Sequence, residues 1–190
     1  MYSGKSNRFA QFGTSLLFLV LLTATAARAD SPSAQEIDAA VAAALTEFSK
    51  DVDHADEYLK GAKGVLVVPD VKKVGFVLAA QWGTGALQVG GKTVDYYRMD
   101  AGSAGFQAGY QSTNMVFIFF TDTAVQKFRD SEGWTVGAEA GLTFVEVGTG
   151  VRPDTLKGKG DVAGFAFGTE GLMAGWSAKG SKFSRINPGE

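Results

Sequence analysis

The 190-residue sequence contains no cysteine, one histidine and four prolines. Without cysteine the chain cannot form a disulfide or use a thiol nucleophile, and with His54 alone it cannot build a multi-histidine metal site. A Ser-His-Asp arrangement would need that same histidine, and no nucleophile-elbow sequence accompanies it. We therefore expect a protein that is not an enzyme and that holds no catalytic residues, no metal and no cofactor.

Three segments resemble ligand sites but lack a required feature. Segment 53–57 holds the histidine and three acids, yet these side chains do not share one face at helical spacing. Gly83-Thr84-Gly85 and Gly148-Thr149-Gly150 resemble phosphate loops, but neither opens a helix or continues into Lys-Ser or Lys-Thr. We interpret the first segment as a solvated helix surface and the other two as parts of a hairpin pattern.

The first 29 residues have the pattern of a secretory signal peptide. Two basic residues precede a nearly continuous apolar run from Ser15 to Leu22, and Ala27-Arg28-Ala29 is a small-x-small cleavage pattern. The apolar run is far shorter than the ~20 residues that a membrane-spanning helix needs. We expect cleavage of residues 1–29, a single mature domain over residues 30–190, and a periplasmic or secreted location.

The mature chain is acidic. The full sequence has 18 basic and 20 acidic residues, and removal of Lys5, Arg8 and Arg28 leaves 15 basic against 20 acidic, a net charge of −5. Such a balance provides no broad positive field for nucleic acid, so we expect no nucleic-acid partner. Contacts with an anion must come from local groups of basic side chains.

Ser33 and Glu36 form a capping-box pattern that predicts the start of a helix. Apolar residues then recur at spacings of three and four along one stripe, which extends to Leu59. The opposite face is acidic, whereas a helix that binds a membrane surface favours lysine and arginine. The pattern therefore predicts one long helix that packs on the domain's own core.

Strand patterns follow from Val65 onwards. Gly90-Gly91 lies between two alternating segments and predicts a two-residue hairpin. Met115 to Phe120 is continuously apolar and predicts a strand covered on both faces. Asp122 starts a short helix pattern that ends before Gly133, and alternation from Trp134 to Phe144 predicts a long strand.

Basic side chains beside large apolar ones suit a lipid headgroup and its first methylenes. Two such groups occur, one around Lys73 and one from Lys179 to Arg185. The other basic pair, Lys157 and Lys159, lies in a glycine-flanked loop and is interpreted as a solvated edge. The predicted lipid-binding residues are Lys72, Lys73, Phe76, Trp176, Lys179, Lys182, Phe183 and Arg185.

Several segments, in order, resemble the SYLF domain of the Ysc84-like family, a lipid-binding module that eukaryotes link to phosphoinositides and actin. The first are Ala62-Lys63-Gly64, Lys73-x-Gly75-Phe76 and Gly83-Thr84-Gly85, followed by Gly102 to Gly109, Asn114 to Phe128, Val136 to Gly148 and Gly171 to Gly175. Together they cover nearly the whole mature chain. The chain departs from eukaryotic members in two respects. Those members have a basic residue just before the Gly-x-Gly turn, where this chain has Gln81 and Trp82, and the first helix of this chain is acidic.

The resemblance implies a binding protein, and the departures favour a generic phospholipid over a phosphoinositide. An exported protein would not meet cytoskeletal actin, so no actin partner is expected. We predict an α+β domain with a strongly bent, mainly antiparallel sheet, a long N-terminal helix and one short helix, and leave open whether the sheet closes into a barrel-like shape. The predicted function is peripheral binding to an anionic phospholipid or another amphipathic ligand.

A structural or stress-related envelope protein that acts through protein contacts and self-association is the alternative. Gln107, Gln111 and glycine-rich edge strands would provide its contacts by β-augmentation. A homo-oligomer is compatible with either reading.

Overall fold

The computed structural model describes residues 31–75, 78–104, 109–131, 133–136, 141–156, 160–171 and 180–189. These residues form eight strands in one mixed sheet and four helices. The strand order is β5-β8-β3-β2-β1-β4-β7-β6, and every pairing is antiparallel except that of β6 with β7. The predicted α+β class and mainly antiparallel sheet are confirmed.

The helices are α1 (Ala34–Asp51), α2 (Ala55–Gly61), α3 (Asp122–Asp130) and α4 (Pro153–Leu156). The strands are β1 (Gly64–Gly75), β2 (Leu78–Val89), β3 (Lys92–Ala104), β4 (Gly109–Phe119), β5 (Trp134–Thr135), β6 (Leu142–Val145), β7 (Val162–Gly171) and β8 (Lys182–Ile186).

The predicted start of the first helix is confirmed, but the prediction of one long helix is wrong. Ser33 is the N-cap and forms the capping box with Glu36. The helix ends at Asp51, and His54 adopts a left-handed conformation with φ of 60° before α2 begins. This break lets Tyr58 turn into the core, where it is fully buried and its hydroxyl donates to the carbonyl oxygen of Val151 at 2.9 Å.

Both faces of the central strands are covered. Helices α1, α2 and α4 pack on the side that we call the α1 face, where Phe48 contacts Phe165 and Phe167. Helix α3 packs on the other side, the α3 face, where Phe128 contacts Phe119. Residues 115–119 of β4 are fully buried, as their continuous apolar character predicts.

The sheet curls around the α3 face into a half-barrel. Trp134 lies on β5 at one edge and Phe144 on β6 at the other, yet their rings lie 6.0 and 6.1 Å from the ring of Phe117 on β4. Two opposite edges can contact one central side chain only if the sheet bends strongly. Within the described residues β5 and β6 do not pair with each other, so the sheet is bent but open.

The prediction of one long strand from Trp134 to Phe144 is wrong. Strand β5 pairs with β8 at one edge of the sheet, whereas β6 pairs in parallel with β7 at the other. The chain therefore passes from one edge to the other between these strands, and residues 137–140 lie outside the described part. The predicted Gly90-Gly91 hairpin between β2 and β3 is confirmed, with φ values of 59° and 76°.

No helix among the described residues combines the length and apolar character that crossing a bilayer requires.

Candidate functional site

Helix α1 covers only part of its face of the sheet. The apolar stripe of α1 packs on sheet residues near Val67, Ala86 and Val116. Other residues of the same strands also point to the α1 face but lie beyond the part that α1 covers. Four large apolar side chains in this uncovered region are exposed: Val74, Leu78, Trp82 and Tyr110. We call this region, with the basic residues beside it, the open patch.

The register of the sheet makes the open patch continuous. Val74 on β1 pairs directly with Tyr110 on β4 and with Ala80 on β2. Leu78 and Trp82 lie on β2 to either side of Ala80 and point to the same face. Leu78 is 73% exposed and Tyr110 47%. A contiguous exposed apolar area of this kind is typical of an interaction site.

One row of directly paired residues crosses the patch. It runs over five strands from β4 to β8 and consists of Ser112, Lys72, Trp82, Asp100 and Lys182. Lys72 and Lys182 thus share one face and one row, three strand spacings or about 14 Å apart. Sequence reasoning assigned both lysines to the site but did not predict that they lie in one row across the sheet.

Two acids partly neutralise the basic groups of the patch. The Lys72 ammonium lies 3.7 Å from an Asp70 carboxylate oxygen. The Arg98 guanidinium donates to both oxygens of Asp100, at 3.0 and 2.8 Å, and these hydrogen bonds raise the pKa of Arg98. Lys182 is exposed and makes no ion pair with any described residue. The side chain of Lys72 is 44% exposed, so both lysines of the row remain accessible.

A shallow groove lies within the open patch. Its volume is about 380 Å³, and its lining includes Trp82, Arg98 and Asp100 with small residues between them. An indole ring, a cation and an anion thus surround one depression. This combination suits the polar headgroup of a lipid or a polar protein surface.

Three of the predicted lipid-binding residues lie elsewhere in the fold. Lys73 points to the α3 face and is 5% exposed, and Phe183 is 1% exposed and packs against Phe117 and Trp134. Arg185 also belongs to the α3 side, where it lies 3.4 Å from Asp95. These three therefore do not belong to the open patch, because successive residues of a strand alternate between faces, although Arg185 is itself exposed on its own side.

Phe76, Trp176 and Lys179 lie outside the described residues, so their part in the site stays a prediction. Gln107, proposed for β-augmentation, lies outside as well. Gln111 is on β4, which is paired on both sides by β1 and β7, so it does not lie on a free edge.

Sequence reasoning missed Trp82, Leu78, Val74, Tyr110 and Arg98 as parts of the site. Alternation along β2 shows that Leu78 shares a face with Trp82, whereas the other three lie on different strands, whose pairing the sequence does not give. Nothing in the sequence showed that α1 would cover only one half of that face, which is what leaves these residues exposed.

The segment around His54 serves the fold. The His54 ring lies 3.2 Å from a Glu57 oxygen, and Arg152 pairs with the other Glu57 oxygen at 2.9 Å. An Asp53 oxygen accepts from the backbone amide of Gly150 at 3.2 Å. No group of three or more potential metal ligands occurs among the described residues.

Sequence comparison connects this fold with known proteins. A profile of the Ysc84 family, described as "Las17-binding protein actin regulator", matches residues 100–187, from β3 through β8. LAS seventeen-binding protein 3 of Saccharomyces cerevisiae is 28% identical over 141 residues, in strains YJM789 and ATCC 204508 / S288c. Residues 100–187 of this chain thus match the Ysc84 (SYLF) domain.

The region of similarity is only part of the yeast relatives. The match covers 70% of this chain and 30% of the yeast proteins. The names of the family and of these relatives describe binding and regulation of other proteins. Of the open patch, Lys182 lies inside the matched region, near its end. Arg98 lies just before its start, and Lys72, Leu78 and Trp82 lie further upstream.

Proposed function

We propose that this protein is an exported, non-enzymatic Ysc84-domain protein whose open patch binds the surface of a phospholipid membrane. The observation that carries the proposal is the group of four exposed apolar side chains flanked by Lys72 and Lys182. Apolar side chains enter the headgroup region while lysines remain among the phosphates. Each lysine near an anionic surface contributes about 1 kcal/mol.

The geometry of the patch favours a membrane surface over a small soluble ligand. Leu78 and Val74 flank the β1–β2 connection, and Tyr110 follows the connection from β3 to β4. Antiparallel pairing places the strand ends at Gly75, Leu78, Ala104 and Gly109 at the same end of the sheet. One end of the sheet therefore presents apolar groups together, as a peripheral membrane protein requires.

Substitution of the apolar groups tests the proposal. The double variant Leu78→Ser/Trp82→Ser should bind vesicles containing phosphatidylglycerol at least about tenfold more weakly than the unchanged mature chain, since each buried apolar side chain contributes roughly 1.5–3 kcal/mol. Co-sedimentation with vesicles measures this. Val94→Ser is the matched control, because Val94 is 41% exposed but lies near the opposite end of β3.

The basic groups are tested in the same assay. Lys72→Glu/Lys182→Glu should weaken binding to anionic vesicles and leave binding to neutral phosphatidylcholine vesicles almost unchanged, whereas Lys92→Glu, near the Gly90-Gly91 turn, should change neither. Added salt should weaken the binding of the unchanged chain. Equal binding to both vesicle types, or no effect of either double variant, would contradict the proposal.

Export is the second part of the proposal, supported by the charged start, apolar run and small-x-small pattern of residues 1–29. Intact-mass measurement of the protein from its own cells should give a chain that begins at Asp30. A chain that retains residues 1–29 in the cytoplasm would rule out export and leave the membrane-binding surface to be judged by the vesicle assay.

Docking of a protein is the second candidate function for the same patch. The yeast relatives are named for binding another protein, and exposed tryptophan and tyrosine such as Trp82 and Tyr110 are enriched at protein interfaces. Light scattering of the mature chain without lipid addresses the case in which the partner is a second copy. A dimer that Leu78→Ser/Trp82→Ser dissociates, together with absence of vesicle binding, would favour this candidate.

A further inference from the structure

The buried polar side chains of the described residues all lie on one face of the sheet. Five polar or charged residues are at least nine-tenths buried: Lys73, Gln81, Gln111, Thr113 and Ser181. Each belongs to the α3 face, because each alternates in phase with apolar residues of that face such as Val71, Met115 and Phe183. The interior of the half-barrel therefore contains a polar region at one end of an otherwise apolar core.

The strand register places most of these residues in a single row. Gln111 pairs with Lys73, Lys73 with Gln81, and Gln81 with Ala101. The β3–β8 register ends at Asp100 paired with Lys182, and its continuation by one residue brings Ser181 beside Ala101. We call Gln111, Lys73, Gln81, Ala101 and Ser181 the polar row. It lies on the side of the sheet opposite to the open patch.

Several atoms of the polar row lack hydrogen-bond partners. The Gln81 Nε2, the Gln111 Oε1 and the Ser181 Oγ are all buried without one. A buried polar group left unpaired costs about 1–3 kcal/mol, so native proteins seldom keep it without a use. Thr113 differs, because its hydroxyl bonds to that of Thr169. The hydroxyl of Tyr97, on β3 outside the row, is also buried without a hydrogen-bond partner, so three of the four such atoms among the described residues belong to the row.

Ala101 leaves a gap between two of these unpaired groups. Gln81 and Ser181 lie on either side of it, two strand spacings or about 9–10 Å apart along the backbone. Two hydrogen bonds to one central group take up about 6 Å of that distance. The amide nitrogen and the hydroxyl can both donate, so the group that fits between them is an acceptor.

We propose that the polar row binds a small oxyanion, a carboxylate or phosphate group, held between the Gln81 amide and the Ser181 hydroxyl. An anion suits the site better than a neutral acceptor, because the Lys73 ammonium is the next group along the row and burial strengthens charge interactions. This proposal is independent of membrane binding by the open patch. The oxyanion can be a free ion or the polar end of an amphipathic molecule.

Calorimetric titration of the mature chain with inorganic phosphate, acetate and decanoate tests the proposal. At least one of these should bind with one site per chain, and Gln81→Leu and Ser181→Ala should each weaken that binding by about tenfold or more. Gln88→Leu, the same change at the far end of β2, is the matched control and should have no effect. Tighter binding of decanoate than of acetate would show that the oxyanion is the polar end of an amphipathic molecule. Tighter binding of phosphate or acetate would show that it is a free ion.

The stability of the ligand-free protein provides a second, independent measurement. Gln81→Leu should leave the melting temperature unchanged or raise it, because it removes an unpaired buried amide. A fall of several degrees would show that the amide is already bonded within the protein and would overturn the proposal. So would the absence of binding by all three anions, or binding that neither Gln81→Leu nor Ser181→Ala weakens. Should Gln81→Leu fail to fold, anion binding by Ser181→Ala and by the unchanged chain still tests the proposal.

Discussion

Replacing Phe117 by alanine should lower the free energy of unfolding by about 3–5 kcal/mol, a large share of the stability of an ordinary domain. The side chain is fully buried on the α3 face of β4. Its ring lies 5.4 Å from Phe183, 6.0 Å from Trp134 and 6.1 Å from Phe144, so it contacts residues from β8, β5 and β6. Its loss leaves a cavity at the point where the two edges of the sheet converge.

Urea unfolding of the mature chain measures this effect. Phe144→Ala is the matched control, because its ring contacts the same side chain but is 41% exposed, and it should cost no more than about half as much. Phe117→Leu should lie between the two, since it retains part of the buried volume. A loss below about 1 kcal/mol for Phe117→Ala would show that the edges do not converge on this residue.

Much of the fold follows from local sequence patterns. The capping box at Ser33, the Gly90-Gly91 turn and the buried strand from Met115 each depend on interactions within a few residues or on a continuous apolar run, and the structure confirms them. Such local signals are strong because the required geometry is short-range.

The split of the first helix could not be predicted in this way. The apolar stripe continues through Ala55 to Leu59 without interruption in spacing, and those positions are indeed buried or partly buried. Helix α1 ends because its C-cap, Val52, is extended, and the left-handed His54 then starts α2 in a new direction. Packing of Tyr58 and contacts from the distant residues Gly150 and Arg152 hold this break. These contacts become visible only when the chain is folded.

A bulge in β1 determines to which face of the sheet Lys72 and Lys73 point. Val68 and Val71 are three residues apart, yet both belong to the α3-face core, because the register of β1 shifts between them. Asp70, with φ of 51°, lies in this irregularity. Strict alternation counted from Val68 would assign Lys72 to the α3 face, whereas the shift exposes Lys72 and buries Lys73. The sequence placed both lysines near a site but could not assign their faces.

The same bulge underlies the second large effect that we expect, from Gly85→Ala. Gly85 on β2 lies opposite the irregular part of β1, between the paired residues Val67 with Ala86 and Lys72 with Trp82. A Cβ at position 85 would lie 1.9 Å from the carbonyl oxygen of Val67 and 2.8 Å from the Cα of Val68. Because the overlap is with backbone, no change of rotamer can relieve it, and we expect a loss of about 3 kcal/mol or more.

Gly102→Ala separates this effect from the general cost of replacing a strand glycine. Gly102 lies on the neighbouring strand β3, and a Cβ there would meet no atom within 4 Å. We expect its stability to change by no more than about 0.5 kcal/mol. Similar urea midpoints for the two variants would mean that β1 does not approach β2 so closely at the bulge. Since Lys72 and Lys73 follow this bulge, that result would also remove the reason for placing the first in the open patch and the second in the polar row.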